Sequence, residues 1–345
     1  MIATDARLRQ GFDFERREAQ ISAGEFFMVL SQTHHADVVF NAVQSTSTAA
    51  VSPVAASWCR SALHHRLDPQ ASDQRALLDA KSFAHLRETH HALLAVAVPV
   101  LDQMFRSVGR SGCGVILSDA LGVVLERRTS AGDADDFTSV GLIEGARWGE
   151  AEEGTNGIGT CLFEDRPVVI HRDQHFASRN IGISCMDAPV HDPQGRLIAA
   201  LDVSSCRDDH GPAMADMIVA LVRDAARRIE RDYFCRHFEG ARIVFLADDV
   251  ADGTALLATD RDDLVIGATR AARQRLGLDD GMLAEPRPLE QILGSGDLPS
   301  FEDGDRTILR RALAQAAGNA SAAARLLGIG RATLYRRLSR VGLRH

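Results

Sequence analysis

The sequence predicts an α+β protein that ends in a separate all-α unit. Short β-rich runs separated by turn residues fill 112–205, and helical periodicities lie before and after them. From 303 to 345 the spacing is helical throughout, broken only at glycines. With 345 residues and 45% hydrophobic side chains, the chain can bury the cores of two or three domains. Composition divides it into an N-terminal helical region (1–80), an α+β domain with flanking helices (81–236), a small connector (240–296) and the C-terminal helices (303–345).

The opening MIATDARLRQGFDFERRE is charged and lacks the apolar stretch of a secretory signal, and no apolar run approaches the roughly 18 residues of a membrane span. A soluble, cytoplasmic protein with no membrane partner is expected. The six cysteines are far apart with no C-x-x-C pair, which fits reduced, mostly buried thiols. QSTSTAAVSP reads as a mobile connector, after which Ser52 and Pro53 supply an N-cap and first position for a helix running toward Pro69. Phe83, Leu86, His90, Leu93, Ala97, Val100 and Met104 then alternate three and four apart. That seam can pair with its copy in a dimer or pack on its own domain, and Pro99 should kink it.

CGVILSD, GVVLERR, IGTCLFE, PVVIH, IGISCMDAPVHD and GRLIAALDVSS read as strands of an antiparallel sheet, with Asp192-Pro193-Gln194-Gly195 as a type I turn between the last two. A helix from about Pro212 to Tyr233 follows, with Met214, Ile218, Leu221, Ala225 and Ile229 as its apolar stripe. GTNGIGTCL is not a dinucleotide loop, because G-x-G-x-x-G from Gly157 would need glycine at Leu162. It reads instead as a loop in which Thr155 and Asn156 satisfy backbone groups before the next strand.

No metal site is expected. His171 and His175 straddle a strand end and loop, and the pairs His34-His35, His64-His65 and His90-His91 are adjacent, so neither pattern gives helical i, i+4 ligation. Cys161 and Cys185 are the thiols weighed for redox chemistry, with inert burial as the alternative. RIVFLADD and ALLATDRDDLVIGATRAARQRLGLDDG give strand, strand, turn, strand and helix. This order resembles the front half of a PAS-like domain but is too short for a whole one.

At the C-terminus, Ile308, Leu309, Ala312, Leu313 and Ala316 form the apolar face of a helix that stops at Gly318. Asn319 caps a second helix that buries Ala323, Leu326 and Leu327, and a third begins at Arg331 with Leu334, Leu338 and Val341 on one side. Arg331, Tyr335, Arg336, Arg337 and Arg340 fall on the exposed surface, where arginine supplies both base readers and phosphate clamps. From Asp305 onward nine arginines face one aspartate, a net of +8 in a chain of −8, so the remainder carries −16. Double-stranded DNA is the implied partner.

GN, then AA, LLGI, R-x-TL and a basic helix make this segment resemble the Fis-type helix-turn-helix that also ends bacterial enhancer-binding activators. The resemblance implies that Arg331 reaches a base edge, that Asn319, Ser321, Thr333 and Arg336 hold phosphates, and that Arg337 lies close by. Gly330 stands where that family often has Asn, and the Asn contact to DNA is not carried over. GARWGEAEEGTNGIGTCLFEDRPVVI, DQHF and SCMDAPVHDPQGRLIAALDVSS resemble the GAF sensor domain of acetoin-catabolism regulators, and SWCRSALHHRLDP resembles the helix preceding it there. This implies an effector pocket between sheet and loops, with Trp148, Asn156, Cys161, His175, Cys185 and Asp202 as candidate lining for an unknown small molecule.

Those activators carry a central ATPase with a G-x-x-x-x-G-K-[ST] loop. This chain has one lysine, Lys81 in DAKSF, and no such loop, so no nucleotide or other cofactor and no enzymatic activity are expected. The expectation is a homodimeric, cytoplasmic DNA-binding transcription regulator that senses a small molecule or partner, with RNA polymerase or a full-length activator as a further class of partner. Two rivals stand beside it: a GAF-fold, thiol-dependent reductase of a small oxidised substrate, and a silencing partner of full-length activators.

Overall fold

A computed structural model describes residues 23–45, 50, 52–71, 75–207, 211–249, 253–294 and 301–343. Part of the Ser/Thr-rich connector and the charged opening of the chain lie outside the described residues. Helix α1 (Ala23–Gln44) leads to α2 (Pro53–Cys59), where the Ser52 hydroxyl accepts the Ala55 N–H and Pro53 takes the first turn, as expected. The chain continues through a π-helical turn at Arg60–His64.

Helix α3 (Ala80–Thr89) is capped by Asp79, and α4 (His91–Val108) contains Pro99. The expected seam is thus divided at His90. Leu93, Ala97, Val100 and Met104 are buried within their own domain, which decides between the two readings of that pattern. By length and composition α4 could cross a membrane, a correction to the expectation that no stretch qualifies, but its apolar face lies in this core.

Strands β1 (Cys113–Asp119), β2 (Val124–Arg128), β3 (Val168–His171), β4 (Ser184–His191) and β5 (Leu197–Ser205) form one antiparallel sheet in the order β2-β1-β5-β4-β3. Short helices α5 (Ala134–Ser139), α6 (Glu150–Glu153) and α7 (Gly157–Glu164) interrupt it. IGTCLFE, expected as a strand, belongs to α7. Asn156 Oδ1 accepts the Gly159 N–H at 2.9 Å, and that N-cap makes helix the local solution. The Asp192–Gly195 turn is present, with Gly195 N–H donating to Asp192 O at 2.8 Å.

Helix α8 (Pro212–His237) covers one face of the sheet beside α4. Its buried stripe is Ala215, Ile218, Val222, Ala226 and Ile229. The expected stripe is half right: Ile218 and Ile229 are buried, but Leu221 is 46% exposed and forms an outer ridge with Met214 and Met217. The other sheet face is filled by Ile116, Phe137, Trp148, Ile158 and Cys161.

Beyond α8, strands β6 (Arg242–Asp249), β7 (Gly253–Thr259), β8 (Leu264–Ala268) and β9 (Arg287–Pro288) form a second antiparallel sheet, accompanied by helices α9 (Arg270–Leu276), α10 (Asp280–Ala284) and α11 (Leu289–Ile292). Phe234 at the end of α8 packs on Leu256 and Ala258 of this sheet, so one helix joins two cores. The chain closes with α12 (Phe301–Gln315), α13 (Ala320–Leu326) and α14 (Arg331–Arg340) around Leu309, Ala312, Ala323, Leu334 and Leu338. Ile308 and Leu326, expected inside, are 53% and 58% exposed because Leu309 and Ala323–Ala324 already fill this small core.

Candidate nucleic-acid interface and sensor core

The three C-terminal helices present a defined polar surface. Ala317 and Gly318 both adopt positive φ, 48° and 81°, which turns the chain sharply between α12 and α13, and glycine makes the second of these cheap. Asn319 Oδ1 then accepts the Ala322 N–H at 3.0 Å, so only the amide Nδ2 of its side chain remains a donor toward solvent. Gly330 takes the N-cap position of α14 with extended backbone and no side-chain bond.

With Leu334 and Leu338 buried, Arg331, Tyr335, Arg336, Arg337 and Arg340 are exposed, as is Ser321, while Thr333 is half-buried. Arg331 Nη2 donates to the Tyr335 hydroxyl at 3.3 Å, and its guanidinium lies 5.5 Å from the ring centroid, an arrangement that stiffens a long side chain. Arg337 pairs with Asp305 at 3.1 Å and Arg340 with Glu302 at 3.7 Å, which ties both back to α12. Arg306 donates twice to Val341 O, at 3.0 and 2.6 Å, and clamps the end of α14.

The six residues expected around an effector are all buried, and four cavities among the described residues are lined by others. Trp148 and Cys161 belong to the packed sheet face, and Trp148 Nε1 donates to Gly141 O at 3.0 Å. Asn156 is spent on the α7 cap. The remaining three are brought together. His175 Nδ1 donates to Arg172 O at 2.9 Å, and its Nε2 lies 3.4 Å from Cys185 Sγ. Burial lowers the His175 pKa to about 4, so the ring is neutral and accepts the thiol proton. Ser204 Oγ donates to Asp202 at 2.7 Å and sits 3.2 Å from the same sulfur.

Sequence reasoning missed Asp187, which completes this chain of contacts. It is the cross-strand partner of Asp202, and neither of its oxygens meets an N–H or hydroxyl donor. The two buried carboxyls are neighbours across the strand pair, where two negative charges repel, so protonation of one is favoured. Burial, reinforced for Asp187 by the neighbouring charge, raises the pKa of both. Gly157 is the matching gap, since a Cβ there would collide with the Asp187 carboxyl and with Cys185. The alternation SCMDA that places Cys185 and Asp187 on one sheet face was the available signal.

Burial also raises the Cys161 and Cys185 thiols well above the ordinary range and pushes Cys206 to about 12. These are protonated sulfurs, the opposite of what a thiol reductase needs. His171 and His175 also have separate partners, Ser184 Oγ for the first and Cys185 for the second.

The loops over this core are held by the N-terminal helices. Arg60 Nε and Nη2 donate to Glu150 at 2.5 and 2.9 Å, and Ser57 Oγ lies 2.7 Å from Thr155 Oγ1. Glu153 accepts from Arg75 at 2.8 Å, from Arg179 at 2.9 Å and from Asn180 at 3.2 Å. Arg75 also stacks 4.0 Å from the Trp148 ring centroid.

Comparison with known proteins agrees with this architecture. The family model for the GAF domain matches residues 92–231, and that for the bacterial regulatory protein, Fis family, matches 300–340. The acetoin catabolism regulatory protein of Cupriavidus necator is 28% identical over 224 residues, 64% of this chain and 34% of that protein. The acetoin dehydrogenase operon transcriptional activator AcoR of Bacillus subtilis is 26% identical over 178 residues, 51% of this chain and 29% of that one. The chain thus spans about a third or less of the length of these two relatives. A chain in the crystal structure of the E. coli DhaR(N)-DhaL complex aligns at 18% identity with a TM-score of 0.49, covering 77% of this chain and 87% of its own, too loosely to carry an argument. The chain therefore joins a GAF domain to a C-terminal Fis-family helix-turn-helix, and its relatives are regulators of transcription.

Proposed function

We propose that this protein is a cytoplasmic, non-enzymatic transcription regulator that binds double-stranded DNA as a homodimer under the control of its GAF domain. One observation carries the reading: α14 buries its leucines on α12 and α13 and leaves Arg331, Tyr335 and Arg336 outward beside the capped start of α13. A helix so mounted enters a major groove, with Arg331 as base reader and Asn319, Ser321, Thr333 and Arg336 as phosphate donors. Arg337 and Arg340 serve once a phosphate displaces Asp305 and Glu302. In this reading the chain divides into units at 81–236, 240–296 and 303–345, and the separate cores around Leu201, Leu257 and Leu334 support it.

The ridge of Met214, Met217 and Leu221 beside Met104 offers a second subunit an apolar strip, and two-fold pairing would space two recognition helices. Because the sheet face meant for an effector is filled by side chains, a ligand there would have to open the Trp148 core. Its binding would then select a second arrangement of the domain. Gel shifts of the full chain on genomic fragments, with and without thiol blocking, test the function. Sequence-specific retardation that survives blocking supports it, and absence of retardation refutes it.

A further inference from the structure

Where the GAF domain, α8 and the connector meet, the sheet leaves a gap. β3 ends its pairing with β4 at Val168 opposite Asp187, whereas β4 runs on to His191. Residues 188–191 therefore have a strand neighbour on one side only, and Pro189 has no N–H to offer another. Beyond this edge lies a cavity of about 230 Å³, bounded by the Asp165–Pro167 turn, one face of α8 and the first turns of α9.

One sign of charge is in excess on its walls. Arg166, Arg223, Arg227 and Arg270 line it against the carboxylates of Asp165 and Glu230. Both acids are already engaged. The buried His191 ring lies 2.7 Å from Asp165 Oδ1 through Nε2 and 2.6 Å from Glu230 Oε1 through Nδ1. Each ring nitrogen thus has a carboxylate oxygen within hydrogen-bond distance. Arg270 Nη2 adds a bond to Asp165 Oδ2 at 2.7 Å. The arginines come from three parts of the fold: the turn before β3, α8 and α9. Arg166 also pairs with Glu164, and Arg223 and Arg227 hold partners of their own. An incoming anion would add to or replace these.

We propose that this cleft binds a small oxyanion, a compact carboxylate or phosphate ester, that bridges sensor, helix and connector. Guanidinium forks match both groups, and the volume lies below the range that takes drug-sized ligands. Occupancy would draw arginines of α8 and α9 toward one ligand and so favour one placement of the connector against the GAF domain. The site lies away from the Trp148 face of the sheet, and its existence does not depend on what α14 reads.

The test titrates the full-length protein with inorganic phosphate, pyrophosphate, succinate and citrate at constant ionic strength, with chloride as control, reading calorimetric binding and melting temperature. At least one oxyanion should bind saturably, one per chain, and raise the melting temperature. A response to phosphates alone identifies the ester class, and a response to succinate or citrate alone the carboxylate class. Affinity should fall at least tenfold in Arg227→Gln and in Gln274→Trp, which fills the cleft from an exposed position without removing a charge. If Arg227→Gln does not fold, Gln274→Trp decides alone. No saturable binding of any probe, or undiminished binding by Gln274→Trp, overturns the proposal.

Discussion

Asp187 on β4 and Asp202 on β5 are cross-strand partners, both fully buried, and burial pushes both carboxyls toward the protonated form. Their raised pKa values set the sign of a pH effect. Unfolded aspartates lose their protons near pH 4, whereas the folded pair keeps one, so the folded state binds more protons and stability falls as pH rises from about 4 through the folded pKa. Asp187→Asn removes that uptake and gives Asp202 an amide donor. Its melting temperature should exceed wild type at pH 7.5, by a gain on the order of 1–3 kcal/mol, and the difference should vanish near pH 3.5. Thermal melts across pH check this.

Glu153 is 3% exposed and holds both Arg75 and Arg179. Removing it leaves two partly buried guanidinium groups without their carboxylate, with only Asn180 Oδ1 and Ala71 O still accepting from them. Glu153→Ala should therefore cost about 3–5 kcal/mol, read by denaturant unfolding, and Glu153→Gln somewhat less. A loss below 1 kcal/mol would show that these bonds do not hold the loops.

In α14 the arginines should separate by role. Arg331→Ala is expected to cost about 1–3 kcal/mol on a specific site and little on random DNA. Arg336→Ala should weaken both and flatten the salt slope by about one unit. Arg337→Ala should cost less than Arg336→Ala, because Arg337 must first leave Asp305. Binding titrations at several salt concentrations distinguish them.

Leu221 is exposed on the outer ridge of α8, so a charge there need not disturb the GAF core. If the proposed homodimer pairs through this ridge, Leu221→Asp should keep its melting temperature within a few degrees but sediment as a monomer in analytical ultracentrifugation and lose tight binding to a two-fold site. An unchanged dimer would place the interface elsewhere.

Much of this was legible because each feature rests on local chemistry. Ser52-Pro53, Asn319, Gly318 and the Asp192–Gly195 turn are set by neighbouring residues, and each stands where the sequence places it. Helix α7 was not legible as a helix: Ile158, Thr160 and Cys161 suit a strand, and only Asn156 capping Gly159 reveals the helix start. The filled sheet face was equally hidden, since nothing local tells that Trp148 and Cys161 pack rather than line a cavity. The cluster of Arg75, Glu153, Arg179 and Asn180 joins residues up to 105 positions apart, and no spacing rule reports such pairs.

The most direct test of the central claim is fluorescence anisotropy of the full-length protein on a duplex selected from random sequence, compared with a scrambled duplex at physiological salt. A Kd of about 10⁻⁸ M or tighter is expected on the selected duplex, at least ~10³-fold over the scrambled one, with preference lost in Arg331→Ala. Equal affinity for both duplexes, or preference that survives removal of 303–345, would contradict it.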